Sequence, residues 1–231
     1  MKLAVIPARG GSKRIPRKNI KLFSGKPMIA WSIEAILASK LFDKIIVSTD
    51  DDEIAEISRK YGAETPFIRP KNLSDDYTIT IDVIVHAANW ALLEGFSVNE
   101  ICCIYPTSPF IEPSDLIKAQ EKLSLKKCSY VFSATEFRSS IFRSFSVNEE
   151  NGIEMFFPEN YKTRTQDLPK ALYDAGQFYW GTLDAWINKK ILFDNHSYPQ
   201  IIPSWRVHDI DTQEDWKRAE LVYNSLFNIK T

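Results

Sequence analysis

A short basic segment near the start of the chain carries the residue types best suited to bind phosphate. The segment Ala8–Asn19 follows the apolar run Leu3–Ile6 and combines the pair Gly10–Gly11 with five cations. Glycines let backbone N–H groups approach phosphate oxygens closely, and cationic side chains neutralise the phosphate charge. The five cations are Arg9, Lys13, Arg14, Arg17 and Lys18. The segment therefore predicts a phosphate site, which is favoured over a solvated basic loop.

The pattern and charge of this segment narrow the kind of anion that it could bind. It contains neither the G-x-G-x-x-G fingerprint of dinucleotide folds nor the G-x-x-x-x-G-K-[ST] fingerprint of Walker loops. Residues 1–26 hold eight Lys or Arg and no Asp or Glu, which leaves 21 basic and 30 acidic residues in the rest of the chain. Because this acidic body would repel an extended polyanion such as a nucleic acid, a small, highly charged anion fits better.

Phosphate chemistry commonly needs a divalent cation, and one acidic motif has the spacing to bind it. Asp50–Asp52 follows a predicted strand, and Asp52 can serve as a helix N-cap; Asp75–Asp76 precedes another predicted helix, so N-capping accounts for both motifs. The motif Asp209-Ile210-Asp211 differs, because carboxylates two residues apart on an extended segment point to the same side. Capping of the last helix by Asp211 would leave Asp209 unexplained. Asp209 and Asp211 are therefore the predicted ligands of one hard cation such as Mg²⁺.

A polar and aromatic tract in the second half of the chain is a candidate sugar-acid pocket. Arg164–Asp167 supplies an arginine that could bind a carboxylate bidentately, and Asp174–Trp180 supplies amide groups and aromatic rings for an apolar acyl or methyl group. A loop followed by a core strand, with Phe178 and Trp180 buried, explains the same residues. The residue types alone leave both interpretations open.

The elements that must position these groups alternate between strands and helices. The predicted strands are Leu3–Ile6, Lys44–Ser48, a short one near Thr65–Ile68, Ile101–Tyr105 and Tyr130–Ala134. The predicted helices are Met28–Ala38, Asp52–Tyr61, Ile81–Leu93, Ser114–Leu125 and a last helix capped by Asp211 or Thr212. This alternation is typical of an α/β domain with a mostly parallel sheet covered on both faces. A length of 231 residues fits one such domain.

The alternation breaks down between residues 137 and 172, which indicates an insertion. Two apolar runs, Ile141–Val147 and Ile153–Phe157, are separated by a turn-like stretch at 148–152. This pattern predicts a hairpin or an extended arm that projects from the core. Such an insertion is a common means of dimerisation.

Composition and cysteine usage are typical of a folded globular protein. Hydrophobic residues make up 44% of the chain and charged residues 26%. No apolar run is long enough for a membrane span or a signal peptide, so a cytoplasmic location is expected. The three cysteines, of which Cys102 and Cys103 are adjacent in an apolar run, have no metal-type spacing and are expected to be buried.

Taken together, the motifs resemble those of the cytidylyltransferases that activate nonulosonic, sialic-acid-like sugars as CMP derivatives. The motifs are Ile6–Lys13, Pro16–Asn19, Val47–Asp50, Arg69–Pro70, Tyr105–Pro109, Arg164–Pro169 and His208–Thr212. They occur in the order of that family and cover nearly the whole chain, which makes the set far more specific than any one motif.

The resemblance implies one three-layer, Rossmann-like nucleotidyltransferase domain over residues 1–231, with the insertion 137–172 serving dimerisation and the sugar site. It implies CTP as co-substrate, Mg²⁺ as cofactor, release of pyrophosphate and a homodimer without nucleic-acid or membrane partners. The residues it assigns to CTP are Ala8, Arg9, Gly10, Gly11, Ser12, Lys13 and Asn19 for the phosphates or ribose, and Arg69, Thr78 and Thr80 around the base. It matches Asp209 and Asp211 to the metal pair, and with Arg9 and Lys13 they form the expected catalytic set.

Two departures from the N-acetylneuraminate enzymes imply that pseudaminic acid is the sugar. Tyr105 replaces a glutamine, and Ala175–Tyr179 with the preceding Asp174 replaces an Asn-Gly-Ala-Ile-Tyr motif. The residues expected to face the sugar are Tyr105, Arg164, Gln166, Asp174, Gln177 and Tyr179, some of them across a dimer interface. N-acylneuraminate, legionaminate and 3-deoxy-octulosonate are the alternatives from the same class, and a non-catalytic nucleotide-binding regulatory module is the alternative from another. His208 is a candidate general base, although an orienting or structural role is favoured.

Overall fold

A six-stranded sheet forms the centre of the computed structural model, which describes residues 1–227. In chain order the strands are β1 (Lys2–Pro7), β2 (Leu22–Phe23), β3 (Lys26–Pro27), β4 (Lys44–Ser48), β5 (Glu100–Ile104), β6 (Tyr130–Glu136), β7 (Phe145–Val147), β8 (Ile153–Met155), β9 (Leu172–Thr182) and β10 (Ser197–Ile201). The central sheet has the order β10-β6-β9-β5-β1-β4, while β2–β3 and β7–β8 form separate two-stranded sheets. Strands from both halves of the chain therefore share one sheet.

All neighbouring strands of the central sheet are parallel except those that pair with β9. That strand runs antiparallel between β5 and β6, whereas β1 pairs in parallel with β4 and β5, and β10 with β6. The carboxyl ends of the five parallel strands consequently meet at one edge of the sheet, together with the beginning of β9. The prediction of a mostly parallel sheet is confirmed, and this edge is the position where α/β folds bind ligands.

Six α-helices within residues 1–227 cover the two faces of the central sheet and one end of it. They are α1 (Met28–Ser39), α2 (Asp52–Lys60), α3 (Thr80–Leu93), α4 (Pro113–Lys126), α5 (Leu183–Ile187) and α6 (Gln213–Leu226). The first four predicted helices begin and end within one residue of the observed helices α1 to α4. None of the helices within residues 1–227 is long and apolar enough to span a membrane.

Strand β1 shows why its sequence is a continuous apolar run. Ala4 and Ile6 pack into the cluster that includes α1, α2 and α4, whereas Leu3 and Val5 pack into the cluster that includes α3 and α5. A strand covered on both faces needs apolar residues at every position, and each Leu or Ile buried in this way contributes about 1.5–3 kcal/mol. The rigid strand delivers the basic segment to the edge of the sheet.

An aromatic cluster holds the chain just after the basic segment against α6. Phe23 packs edge-on against Trp216 and Tyr223, with ring centroids 5.5 Å apart in both pairs. Thr212 caps α6 through a capping box with Asp215, so the alternative in which Asp211 caps this helix is wrong. The side chain of Asp211 is therefore left for another role.

The insertion forms the predicted hairpin. Strands β7 and β8 pair in antiparallel fashion, and the amide of Gly152 donates to Asn148 Oδ1 (2.7 Å) in the turn between them. Phe145, Val147 and Ile153 are exposed on this hairpin. The short strand predicted near Thr65–Ile68 is wrong, because this stretch makes only isolated bridges to β4 and the residue after it.

Candidate active site

A cavity of about 510 Å³ opens at the carboxyl ends of β1 and β5. The predicted site residues that line it are Arg9, Ser12, Lys13, Asn19, Arg69, Thr78, Thr80 and Tyr105. Arg14 and Lys18 of the basic segment line the same cavity, which we call the phosphate cavity. The structure thus brings residues from three separate stretches of the sequence to one cleft.

The backbone of the glycine pair is held by two aspartates that follow β4. The amide of Gly10 donates to Asp50 Oδ1 (2.9 Å), and a Cβ atom at Gly10 would lie 2.7 Å from Asp51 Oδ2. This close approach requires glycine at position 10, whereas Gly11 faces open space. Ala8 is fully buried and its amide donates to Ser48 O (2.9 Å). The backbone contacts of Ala8 and Gly10 therefore fix the conformation of the loop.

Asp51 also anchors the basic segment from behind. Its carboxylate binds the guanidinium of Arg17 through both oxygens and caps α2 by accepting from the amide of Ile54 (3.0 Å). The hydrogen bond from Arg17 lowers the pKa of Asp51. The cap of α2 is thus Asp51 and not the predicted Asp52, which is the first residue of the helix, while Asp50 fixes Gly10.

A single carboxylate contacts both cations that were expected to bind the triphosphate. Arg9 Nη1 donates to Asp76 Oδ1 (2.6 Å) and to Asp75 O (2.9 Å), and Lys13 Nζ donates to Asp76 Oδ2. Lys13 and Arg9 lower the pKa of Asp76 by these hydrogen bonds. The position of the Asp76 carboxylate thus indicates where an anionic ligand could contact both Arg9 and Lys13.

The prediction that Asp75–Asp76 caps a helix is wrong. Helix α3 begins only at Thr80, after Ile79, which offers no side-chain cap. The carboxylate of Asp75 instead accepts from the amides of Tyr77 (3.0 Å) and Thr78 (2.7 Å) and fixes a turn. This turn presents Asp76 to the cavity, and sequence reasoning missed it because an acidic pair before a helix has the same appearance as a cap.

Arg69 is the most deeply buried cation of the phosphate cavity. Its side chain is 4% exposed, and its Nε and Nη2 atoms have no hydrogen-bond partner within residues 1–227. The nearest carboxylate oxygen, Asp50 Oδ1, is 3.8 Å from Nη2. Burial lowers the pKa of this guanidinium. A buried donor set of this kind needs a partner, and a carbonyl or phosphate oxygen of a ligand could supply it.

The basic segment and the predicted metal pair meet at the other wall of the cleft. Arg14 Nη1 lies 2.6 Å from Asp211 Oδ2, and Lys18 Nζ lies 3.3 Å from Asp211 Oδ1. Lys18 also donates to the carbonyl of Ile210 (2.8 Å). Two regions almost two hundred residues apart in sequence therefore form one site. In the sequence, Arg14 and Lys18 are recognisable only as part of a basic run. Their contacts with Asp211 could not be inferred from that run.

The donor chemistry of Asp209 and Asp211 fits a divalent cation. Burial and repulsion from Asp211 raise the pKa of Asp209, and a bound cation would remove that repulsion. No group of three or more His, Cys, Asp or Glu within the described part of the chain could by itself enclose a metal ion. A cation on this pair would complete its coordination with phosphate oxygens and water, as Mg²⁺ commonly does.

A second cavity, of about 400 Å³, reaches from Asp209 of the predicted metal pair to the tyrosines of the predicted sugar pocket. Tyr105 and Thr107 line both this cavity and the phosphate cavity. The other lining residues include Tyr173, Asp174, Ala175, Gly176, Tyr179, His208, Asp209 and Ile210. We call it the sugar cavity. Thr107 lies just beyond the carboxyl end of β5, a position whose role the sequence alone did not reveal.

Tyr105, Tyr179 and Asp174 form a hydrogen-bonded wall of the sugar cavity. Tyr179 Oη donates to Asp174 Oδ2 (2.6 Å), Tyr105 Oη lies 3.2 Å from Thr80 Oγ1, and the two rings are 5.4 Å apart. Burial raises the pKa of both tyrosines, so both stay neutral and act as hydrogen-bonding groups.

A third cavity, of about 370 Å³, lies beside the same two tyrosines. Apolar side chains make up most of its lining; they include Ile79, Ile81, Trp186, Ile191, Leu192 and Phe193. Such a lining suits a methyl or acyl group better than a hydroxyl group.

Three of the predicted sugar residues lie outside these cavities. Arg164 and Gln166 are exposed in the insertion, where Arg164 Nε donates to Asp167 Oδ2 (2.7 Å). Gln177 is 4% exposed and its Nε2 donates to Arg206 O (2.7 Å). Gln177 is thus a buried residue whose Nε2 is engaged and whose Oε1 has no partner within residues 1–227, and its contact with the sugar stays a prediction.

His208 lines the sugar cavity but is engaged by its own neighbours. Its Nε2 lies 2.9 Å from Trp205 O, and its ring packs against Phe110 with centroids 4.6 Å apart. Burial lowers its pKa, so the ring is neutral at pH 7. These contacts favour the orienting role over that of a general base.

Comparison with known proteins gives the class to which this fold and site belong. A family model described as cytidylyltransferase matches residues 3–170, and the chain belongs to this family. It is 46% identical, over 96% of its length and 95% of the relative's, to the pseudaminic acid cytidylyltransferase of Campylobacter jejuni (strain 81-176). It is 32% identical, over 94% of both chains, to the CMP-N,N'-diacetyllegionaminic acid synthase of Legionella pneumophila.

A solved structure supports the fold alone. The CMP:2-keto-3-deoxy-manno-octonic acid synthetase complexed with CTP superposes with a TM-score of 0.72 at 17% identity, and the match covers 97% of this chain and 99% of the other. The expected nucleotidyltransferase-type α/β fold is confirmed by this likeness.

Proposed function

We propose that this chain transfers CMP from CTP to the anomeric hydroxyl of pseudaminic acid and releases pyrophosphate. The observation that carries the proposal is that the basic segment, which lines the phosphate cavity, contacts Asp211 through Arg14 and Lys18, while Asp209 lines the adjoining sugar cavity. A triphosphate in one cavity and a sugar acid in the other would then bring their reacting atoms to the metal pair. The similarity to the C. jejuni enzyme supports the choice of sugar.

In this proposal the nucleotide occupies the phosphate cavity. Its triphosphate would replace the carboxylate of Asp76 on Arg9 and Lys13, and Ser12 lines the same wall. Asn19 Nδ2 donates to Arg9 O (2.9 Å), which fixes the loop near the phosphates or ribose. The base would lie near Arg69, which has unpaired donors within residues 1–227, and near Thr78 and Thr80.

The reaction needs positioning and charge neutralisation more than covalent chemistry from the protein. The 2-hydroxyl oxygen of the sugar forms a bond to the α-phosphorus, the bond from that phosphorus to the bridging oxygen breaks, and the hydroxyl proton leaves to solvent. Arg9 and Lys13 neutralise charge that develops on the leaving pyrophosphate. Mg²⁺ held by Asp209 and Asp211 would supply further neutralisation of the phosphates.

The walls of the sugar side support pseudaminate over N-acetylneuraminate. Pseudaminate has a methyl group at C9 and an acylamino group at C7, where an apolar lining is favourable. Tyr105 presents a ring in place of an amide between the sugar cavity and the apolar cavity. N-acylneuraminate and legionaminate would place more hydroxyl groups or a different stereochemistry against these walls.

A homodimer in the cytoplasm completes the proposal. The hairpin exposes Phe145, Val147 and Ile153, which a second copy of the chain could cover. Arg164 and Gln166 are exposed in the same insertion, so in a dimer they could reach the sugar cavity of the partner. The cytoplasm is where CTP is available for the reaction.

A pyrophosphate-release assay with CTP, Mg²⁺ and a panel of nonulosonic acids tests the proposal. We expect the highest kcat/KM with pseudaminate, and we expect Asp211→Asn to lose turnover with every sugar. Turnover of N-acetylneuraminate without any of pseudaminate would overturn the choice of sugar. If no sugar gives pyrophosphate while CTP still binds, the chain is a nucleotide-binding module and the proposed reaction is wrong.

A further inference from the structure

Among residues 1–227, the most deeply buried ion pair lies next to the segment 207–210, which lines the sugar cavity. Arg206 binds Asp115 through two hydrogen bonds, Nη1 to Oδ2 (2.6 Å) and Nη2 to Oδ1 (3.1 Å). Arg206 is 5% exposed and Asp115 is 3% exposed. Removing both charges from water costs about as much as their attraction returns, so such a pair is a weak source of stability. Its value is better sought in what it positions.

The pair connects α4 to the segment that carries the metal carboxylates. Asp115 lies in the first turn of α4, and Arg206 ends the short turn Ser204–Arg206 after β10. Residues 207–211 have no helix or strand pairing. Because regular backbone hydrogen bonds do not fix this stretch, the directions of the carboxylates at 209 and 211 depend on side-chain contacts at its ends.

One further contact holds the backbone of Arg206, and another holds its side chain. Gln177 Nε2 donates to Arg206 O (2.7 Å), and Gln177 is itself 4% exposed on β9. Arg206 Nη1 also reaches Phe110 O (3.4 Å), which lies before α4. Elements on two sides of the segment thus fix its beginning.

The other end of the segment is fixed in a complementary way. Ile210 is 2% exposed and packs with Trp216 of α6, while its carbonyl accepts from Lys18 Nζ (2.8 Å). With Ile210 buried between them, Asp209 and Asp211 are placed on the opposite side of an extended stretch. The position of this stretch along its axis is then set by the anchor at Arg206.

We propose that Asp115, Arg206 and Gln177 form a positioning network that holds residues 207–211, so that Asp209 and Asp211 can bind one divalent cation. This inference rests on the proposed function, because it takes those two carboxylates as the metal pair. Groups that orient metal ligands without touching the metal commonly change metal affinity by about 10- to 100-fold when they are removed. Arg206 and Gln177 are positioning residues in this sense.

The test compares the affinity for Mn²⁺ with the affinity for CTP in the full-length protein. Arg206→Lys keeps the charge but loses the two-pronged contact, and Gln177→Met removes the donor to Arg206 O without changing charge. Mn²⁺ binding is followed by electron paramagnetic resonance with CTP present and no sugar, after subtraction of a protein-free Mn²⁺–CTP titration. We expect roughly tenfold weaker Mn²⁺ binding for Arg206→Lys and about threefold weaker binding for Gln177→Met. The Mg²⁺ concentration for half-maximal turnover should rise in step, while KM for CTP at saturating Mg²⁺ stays near the wild-type value.

Tyr130→Phe is the matched control for the loss of a buried hydrogen bond. Tyr130 is fully buried at the amino end of β6, away from the cleft, and its Oη donates to Ala185 O (2.8 Å). This variant should lower the melting temperature and leave Mn²⁺ affinity unchanged. If Arg206→Lys weakens Mn²⁺ binding no more than Tyr130→Phe does, the network is merely structural and the inference is wrong. If Arg206→Lys does not fold, Gln177→Met decides by the same comparison.

Asp211→Asn separates this inference from the proposed function. If Asp211→Asn keeps wild-type Mn²⁺ affinity, the assignment of the metal pair is wrong, and the network has nothing to position. If Asp211→Asn loses Mn²⁺ binding but both network variants retain it, the metal pair stands and the positioning role alone is overturned.

Discussion

The two sides of the cleft differ in how the chain builds them. On the phosphate side, one segment of twelve residues, Ala8–Asn19, supplies most of the cations, with Arg69 added from behind. On the sugar side, Tyr105 follows β5, Asp174 and Tyr179 lie on β9, and Asp209 lies between β10 and α6. The first side is local in sequence, whereas the second exists only once the sheet has formed.

The electrostatic character of the two sides differs in the same way. Apart from the buried Arg69, the cations of the phosphate side are partly exposed, and the side chain of Lys13 is 79% exposed. Tyr105 and Tyr179 of the sugar side are neutral and largely shielded from water, and burial raises the pKa of each. A charged ligand can be attracted over a distance by exposed cations, whereas a neutral wall discriminates only by contact. We therefore expect changes on the phosphate side to alter rate and changes on the sugar side to alter choice of substrate.

The largest expected effect is at the junction of the two sides. Asp211→Asn should reduce kcat at least about a hundredfold with every sugar, because an amide is a poor ligand for a hard cation and leaves phosphate charge uncompensated. Thr212, and not Asp211, caps α6, so the melting temperature should change little. Pyrophosphate release and circular dichroism measure the two quantities. Near-normal release at ordinary Mg²⁺ concentrations would remove Asp211 from the metal site.

A change confined to the phosphate side should leave the sugar unaffected. Lys13→Ala should lower kcat/KM for CTP about a hundredfold, since a cation beside the triphosphate is lost, while KM for the sugar stays within about twofold. Lys21→Ala is the matched control, because Lys21 belongs to the same basic stretch but its Nζ binds Gln213 Oε1 (2.8 Å) away from the cavity. Steady-state kinetics with each substrate varied in turn makes the comparison. Equal losses in the two variants would indicate a general effect of charge.

This contrast also explains which parts of the site the sequence could predict. Arg9 and Lys13 could be assigned from their own neighbours in sequence, because glycine and cation spacing already defines a loop. The proposed metal pair rests on a local signal as well, since the i, i+2 spacing of Asp209 and Asp211 is visible in neighbouring residues. The contact that Gln177 makes has no such signal, because its partner is the carbonyl of Arg206, 29 residues further along the chain.

The fold follows the same rule. Strands such as Lys44–Ser48 were predicted with their observed bounds, because strands buried on both faces are continuous apolar runs. For β9 the sequence leaves open a sugar pocket or a core strand, and the antiparallel direction of the strand depends on pairing with β5 and β6. Strand β10 contains Pro199, and as an edge strand it carries little sequence signal.

A change confined to the sugar side should alter the ratio of substrates. Tyr105→Gln should reduce the preference for pseudaminate over N-acetylneuraminate by about tenfold, because an amide replaces a ring against both the sugar cavity and the apolar cavity. The ratio of the two kcat/KM values, measured with CTP at saturation, is the readout. Tyr198→Gln, at a half-exposed tyrosine on β10, provides a control for the substitution itself. An unchanged ratio would show that Tyr105 does not select the sugar.

The smallest expected effect is a gain in affinity for CTP. Asp76→Asn removes the carboxylate that contacts Arg9 and Lys13, so the triphosphate no longer competes with it. Because exposed ion pairs contribute little, we expect KM for CTP to fall only about threefold, with kcat unchanged. Glu53→Gln is the control, since Glu53 binds Arg17 of the same segment but does not line the cavity.

The pH dependence of this gain distinguishes competition from a general change of charge. Lys13 and Arg9 lower the pKa of Asp76, so its carboxylate stays ionised throughout the neutral range and competes equally at each pH. The ratio of KM values for wild type and Asp76→Asn should therefore be constant between about pH 6 and 8. Added salt should reduce the ratio, because screening weakens the contacts of Asp76 with both cations. A KM that rises in Asp76→Asn would instead mean that this carboxylate orients Arg9 and Lys13 for the triphosphate, and the phosphate side would then depend on distant residues as much as the sugar side does.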